Sequence, residues 1–226
     1  MSQQAVIDRP RRVAEPADGF SGSPSRALAL AGALVLALAG VWAVFSLVPW
    51  VHLRDASTLY KFTTLDSTHV ESPLRFLLHL LDPSLFILWG IALVAIALAG
   101  DRPRTALAVA AVLALAPLSA ELLKPLVAHH HDSVGYVTIN AASWPSGHAT
   151  AAMALALCAV LVAPRRLRPF VAVPAAAYVL AVSVALLVLA WHMPSDVLGG
   201  LLLASLWMAL AVAALRASER RAPARD

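Results

Sequence analysis

Apolar residues recur along this chain in long unbroken runs, without the alternation of a half-buried strand or the single stripe of a surface helix. Ala27 to Trp50 carries no charge over a length that spans a hydrocarbon core, for which about 20 residues are needed. Comparable runs follow at Pro83 to Gly100, Thr105 to Val127, Pro145 to Ala163, Pro169 to Trp191 and Asp196 to Leu215. The pattern predicts an all-α, integral membrane bundle of six transmembrane helices over residues 27–215. The first run exceeds the apolar core of a cleavable signal peptide and reads as a retained span. Pro117 predicts a kink in the third, and Glu121 with Lys124 turns its end toward water. Met1 to Arg26, rich in Pro, Ser, Gly and Arg, reads as a mobile cytoplasmic tail, and residues 216–226 as a second one. Val51 to Pro73 is a mixed, polar connection that reads as a loop beside the lipid entrance. Arg75 to Asp82 reads as a short interfacial helix, with His79 an interfacial side chain.

Composition narrows the class further. Of 226 residues, 60% are hydrophobic and 13% charged, whereas soluble domains are about half apolar and about a quarter charged. This balance excludes a soluble domain, a disordered chain and a nucleic-acid-binding protein, although the net charge is +4. The basic residues are all Arg apart from Lys61 and Lys124, and their placement reports topology. Arg9, Arg11, Arg12 and Arg26 precede the first span, Arg102 and Arg104 separate spans two and three, and Arg165, Arg166 and Arg168 separate four and five. Arg216, Arg220, Arg221 and Arg225 follow the sixth. These positions share one side, while the other holds Arg54, Lys61, Arg75 and Lys124. The asymmetry predicts a multi-pass cell-membrane protein with both termini cytoplasmic. The single cysteine, Cys158, offers neither a disulfide nor a thiolate metal site.

With that topology, polar groups at four helix ends meet on the outer face: Lys124, Pro145-Ser146-Gly147-His148, His192 and Asp196. Ser146 can cap the helix that follows, and Gly147 admits a ligand to the backbone. The free N–H groups there, with the helix dipole, make an anion site. His148 stands beside any phosphate held there, and Lys124 adds a full positive charge. His192 and Asp196, four residues apart, allow the carboxylate to accept Nδ1–H and leave Nε2 free as a nucleophile. Two histidines facing one phosphate can divide attack and leaving-group protonation. Neither role demands a metal ion or an organic cofactor.

These residues resemble the type 2 phosphatidic acid phosphatase (PAP2) superfamily, whose membrane members are six-span lipid phosphatases. The family pattern is K-x6-R-P, then P-S-G-H, then S-R-x5-H-x3-D. Here Pro145 to His148 is complete, His192 and Asp196 match the third motif, and Lys124 starts the first. The resemblance implies that His192 forms a phosphohistidine, with His148 as general acid and Asp196 as the partner of His192. It implies that Lys124, Ser146 and Gly147 bind phosphate on a lipid of the phosphatidic acid, phosphatidylglycerol phosphate or polyprenyl pyrophosphate class. Two arginines of the pattern are absent: their places hold His131-Asp132 and Ala185-Leu186. His131 as a pH-dependent cation and a donor from the adjacent loop are alternative replacements.

The residues leave other functions open. A non-hydrolytic relative would bind a lipid phosphate headgroup or a partner, and a metal-binding protein would use His129 to Asp132 with His148 or His192. Consecutive histidines diverge, however, which favours a solvated loop. Trp144 and Trp191 fit an interfacial aromatic belt, and Gly199-Gly200 fits close helix packing.

Overall fold

A computed structural model of the chain describes residues 23–129 and 138–221. Within them are eight helices: α1 (Pro24–Leu47), α2 (Pro49–Thr63), α3 (Thr68–His79), α4 (Pro83–Ala99), α5 (Pro103–Leu123), α6 (Gly147–Val162), α7 (Arg168–Val188) and α8 (Pro194–Arg221). Prolines punctuate the chain: α1, α2, α4, α5 and α7 each begin with one in the first two positions, where its missing N–H costs no hydrogen bond. Ser23 caps α1 by accepting from the Arg26 N–H at 3.4 Å. Pro117 is accommodated inside α5.

Each expected span coincides with a helix, and among the described residues four or five crossings meet the test of length and apolarity. By length and composition α1, α5, α7 and α8 can cross a membrane, and α3 with α4, bent by 52° at their junction, gives a fifth crossing if the pair counts as one. α6 falls short of that length. Held between its Ser146 cap and Pro164, it has only 16 residues, about 24 Å of helix. The expected loop over Val51 to Pro73 is also corrected: most of it is helical, in α2 and the start of α3. On α2 the buried face carries His52, Asp55, Ala56, Leu59 and Thr63. That mixed polar and apolar face lacks the long apolar run by which the other helices announce themselves.

The centre of the bundle is α6, which contributes to both apolar clusters. One joins Ala149 and Ala152 to Leu59, Leu78, Val182 and Leu186 of α2, α3 and α7. The other joins Ala154 and Cys158 to Val109, Val112, Ala116 and Ala204 of α5 and α8. Small residues on α6 let backbones approach, the usual means of packing where lipid supplies no hydrophobic drive between helices. Two glycines of α8 make the closest approaches. A Cβ on Gly199 would lie 2.6 Å from Trp144 Nε1, and one on Gly200 2.6 Å from the Ser146 carbonyl oxygen. Trp144 is therefore 3% exposed and packed inside, not at an interfacial belt.

Arginines gather at the opposite end. Arg102 donates to the Val162 carbonyl, Arg168 to that of Ala163, Arg104 to that of Ser218 and Arg216 to that of Ser23. The loop arginines thus also complete carbonyls at helix ends.

Gly200→Ala meets backbone that cannot swing aside. Its expected effect is a fall of several degrees in the Tm of detergent-solubilised protein, from overpacking of about 1–3 kcal/mol. Gly32→Ala, with nothing within 4 Å of the added carbon, should leave Tm unchanged or higher. Thermal unfolding followed by circular dichroism distinguishes the two, and a wild-type Tm for Gly200→Ala contradicts this packing.

Candidate active site

The end of α5, the starts of α4 and α6 and the turn between α7 and α8 meet around a cavity of about 400 Å³ whose lining includes Lys124, Gly147, His148 and His192. Four of the residues singled out in the sequence therefore share one wall. Ser146 and Asp196, both fully buried, stand behind it. Ser146 Oγ accepts from the Ala149 N–H at 3.3 Å, so it caps α6. Its own N–H donates to the Asp196 carbonyl at 2.9 Å, joining the two motifs through backbone. His131 and Asp132 lie outside the described residues.

His192 reaches the cavity by a sharp exit from α7. Ala190 takes a left-handed φ of 54°, and the Trp191 N–H returns to the Leu186 carbonyl at 2.9 Å, which together reverse the chain at the helix end. His192 Nδ1 then lies 3.3 Å from Asp196 Oδ2. A carboxylate can only accept, so Nδ1 donates and Nε2 is left for chemistry. The Met193 N–H donates to the same oxygen at 2.9 Å.

Sequence reasoning missed the residue behind this pair. Asp55 of α2 accepts from Ser195 Oγ at 2.5 Å and from the Ser195 N–H at 3.3 Å, fixing the residue before Asp196. Its carboxyl is pushed up from 3.8 to about 6, chiefly by burial; Ser195 and His52 oppose the rise and Asp196 adds to it. The available signal was periodic: His52, Asp55 and Leu59 fall on one helical face.

The charge inside the cavity is mixed. Lys124 Nζ pairs with Glu121 Oε1 at 2.6 Å, and a Cβ on Gly147 would lie 2.9 Å from that oxygen and 3.7 Å from Nζ. The ion pair thus sits over the N-terminus of α6, in space that exists because residue 147 has no side chain. Asp82 also lines the cavity, within 3.0 Å of His79 Nδ1. The His148 ring meets the edge of Trp191 at 5.6 Å between centroids, and Arg75 lies 5.9 Å over that indole. His129 is elsewhere, edge-on to His52 at 6.2 Å. Among the described residues no three His, Cys, Asp or Glu side chains converge to hold a metal ion.

The family model of the PAP2 superfamily matches residues 105–220, just over half of the chain. The fold is similar to the crystal structure of the first transmembrane PAP2-type phosphatidylglycerolphosphate phosphatase from Bacillus subtilis. The TM-score is 0.71 at 19% identity, covering 86% of this chain and 98% of that one. No curated protein matches the chain significantly.

The folded Asp55 carboxyl titrates above its unfolded value, so its burial as the neutral acid adds stability that is complete below about pH 4. That contribution is lost as pH rises through about 6. Asp55→Asn retains an acceptor for Ser195 and cannot titrate. Its Tm should therefore vary less than the wild type's between about pH 4 and about pH 7. An identical slope in both proteins contradicts the assignment.

Proposed function

We propose that this chain, which belongs to the PAP2 superfamily, is a membrane phosphatase that hydrolyses a phosphomonoester or pyrophosphate of a lipid through a phosphohistidine on His192. The observation that carries the reading is that His148 and His192 line one cavity with Asp196 bonded behind His192. That cavity shares Phe86 with an apolar groove of about 440 Å³ between α4 and α5, lined by Gly90, Ile91, Val94 and Leu113 among others. A phosphate in the cavity and a hydrocarbon tail in the groove describe one lipid.

In this mechanism Lys124 and the first N–H groups of α6 hold the phosphate oxygens. His192 Nε2 attacks phosphorus, and the bond to the leaving oxygen breaks as His148 gives that oxygen a proton. Asp196 keeps Nδ1–H in place and balances the charge on the ring. His148, now neutral, takes a proton from water, whose oxygen attacks phosphorus and releases inorganic phosphate and His192. Ser146 acts through the helix it caps. Six crossings, formed by α1, α4, α5, α6, α7 and α8, would put the cavity at the outer face. The arginines that gather at the other end support that orientation, with both termini cytoplasmic.

A second reading, a relative that binds lipid phosphate without hydrolysis, is favoured by one observation: Glu121 neutralises Lys124 where two family arginines are missing. Phosphate release from a panel of lipid phosphates by purified protein separates the readings. Turnover is expected in the wild type, with a fall of about a thousandfold or more in His192→Ala and His148→Ala. Equal release by all three, or saturable binding with no release, would falsify the hydrolytic reading. Glu121→Gln should lower KM by freeing the ammonium, and Lys124→Ala should raise it about tenfold.

A further inference from the structure

A second cavity, away from the catalytic one, lies at the opposite end of the bundle. It has a volume of about 600 Å³ between α1, α6 and α8. Its lining includes Arg26 and Arg216, and behind them Leu30 and Leu34 of α1, Leu157 of α6 and Met208 of α8; among the described residues that line it none is acidic. The helix directions give the cavity a charged end and an apolar end. Arg216 Nη1 donates to the Ser23 carbonyl at 3.4 Å, so the last turns of α8 meet the first turn of α1 and the two helices run antiparallel. Arg26 lies in that same first turn. From Arg26 to Leu34, and from Arg216 back to Met208, each helix advances about 12 Å. Two guanidiniums therefore sit at one end of a slot whose walls are hydrocarbon.

The chemistry of such a slot is selective. Guanidinium groups take phosphate oxygens in pairs. With no carboxylate among the described lining residues, a cationic choline or ethanolamine headgroup finds no counter-charge on them. Leu30 is 55% exposed, so the slot is open to the bilayer side, from which an acyl chain can enter laterally. There is also a structural use for an occupant. Of α1, only Ala27 and Ala31 are buried, although α1 packs along α8, whose first turn carries Asp196.

We propose that this cavity is a binding site for an anionic phospholipid, with the phosphodiester between Arg26 and Arg216 and one acyl chain along Leu30, Leu34 and Met208. The site is separate from the catalytic cavity and does not depend on hydrolysis. The bound lipid completes the α1–α8 interface from the leaflet opposite the catalytic end.

The test is native mass spectrometry of the full-length protein released from detergent containing phosphatidylglycerol or phosphatidylcholine, together with Tm in each. The wild type is expected to retain phosphatidylglycerol about tenfold better than phosphatidylcholine, with a higher Tm in the former. Arg26→Gln with Arg216→Gln should abolish that preference, Arg26→Lys with Arg216→Lys should keep part of it, and Lys124→Ala should leave it intact. A wild type without preference overturns the proposal whether or not the variants fold. So does a preference that survives the double Gln variant, or one that disappears only with Lys124→Ala, which would assign the lipid to the catalytic cavity.

Discussion

A single buried carboxylate holds together the end of the bundle that carries the candidate site. Asp196 is fully buried. Its Oδ2 accepts from His192 and from the Met193 N–H, while its backbone carbonyl accepts from Ser146. Oδ1 is buried with no hydrogen-bond partner among the described residues, so the two donors on Oδ2 are what offsets removing this carboxylate from water; with the backbone bond they tie the α7–α8 turn to the start of α6. Asp55 adds a second clasp one residue away, through both donors of Ser195. The orientation of His192, the cap of α6 and the seat of α2 thus depend on one short stretch, Met193 to Asp196. The close approach of Gly200 to the Ser146 carbonyl belongs to the same constraint, since a side chain there would push the two motifs apart.

The electrostatics of the cavity follow from what that scaffold leaves facing inward. Lys124 is its permanent cation among the described lining residues, and Glu121 holds it. In the proposed function, a phosphate arriving there would compete with a carboxylate for the ammonium and gain the helix N-terminus that Gly147 leaves uncovered. Two imidazoles complete the donor set. Such a site draws on hydrogen bonds and a helix dipole where arginines would supply fixed charge, which makes positioning by Asp196 and Asp55 correspondingly important.

Much of this was legible in the chain. Uninterrupted apolar runs located α1, α4, α5, α6, α7 and α8 to within a few residues, because burial in lipid demands continuous hydrophobicity. Pro-Ser-Gly-His and the His192–Asp196 spacing pointed to residues that line or back one cavity, because capping and a one-turn hydrogen bond are local. What escaped was tertiary. α2 buries His52, Asp55 and Thr63 beside Leu59, a face whose polarity makes sense only once Ser195 is seen opposite. Trp144 sits inside because Gly199 leaves it room. Ala190 takes a left-handed turn that its side chain does not favour, so no glycine marked the bend that delivers His192. The shortness of α6 depends on where its cap is held.

The central claim is that His192, oriented by Asp196, carries the phosphoryl group. Phosphohistidine survives alkali and is lost in acid, so the direct measurement is an alkaline quench during turnover of a phosphate-labelled lipid, followed by peptide mapping. The account predicts label on the peptide containing His192 in the wild type, label lost on acid treatment, and none in His192→Ala. Label on another residue, or steady turnover with no labelled protein at any quench time, would contradict it.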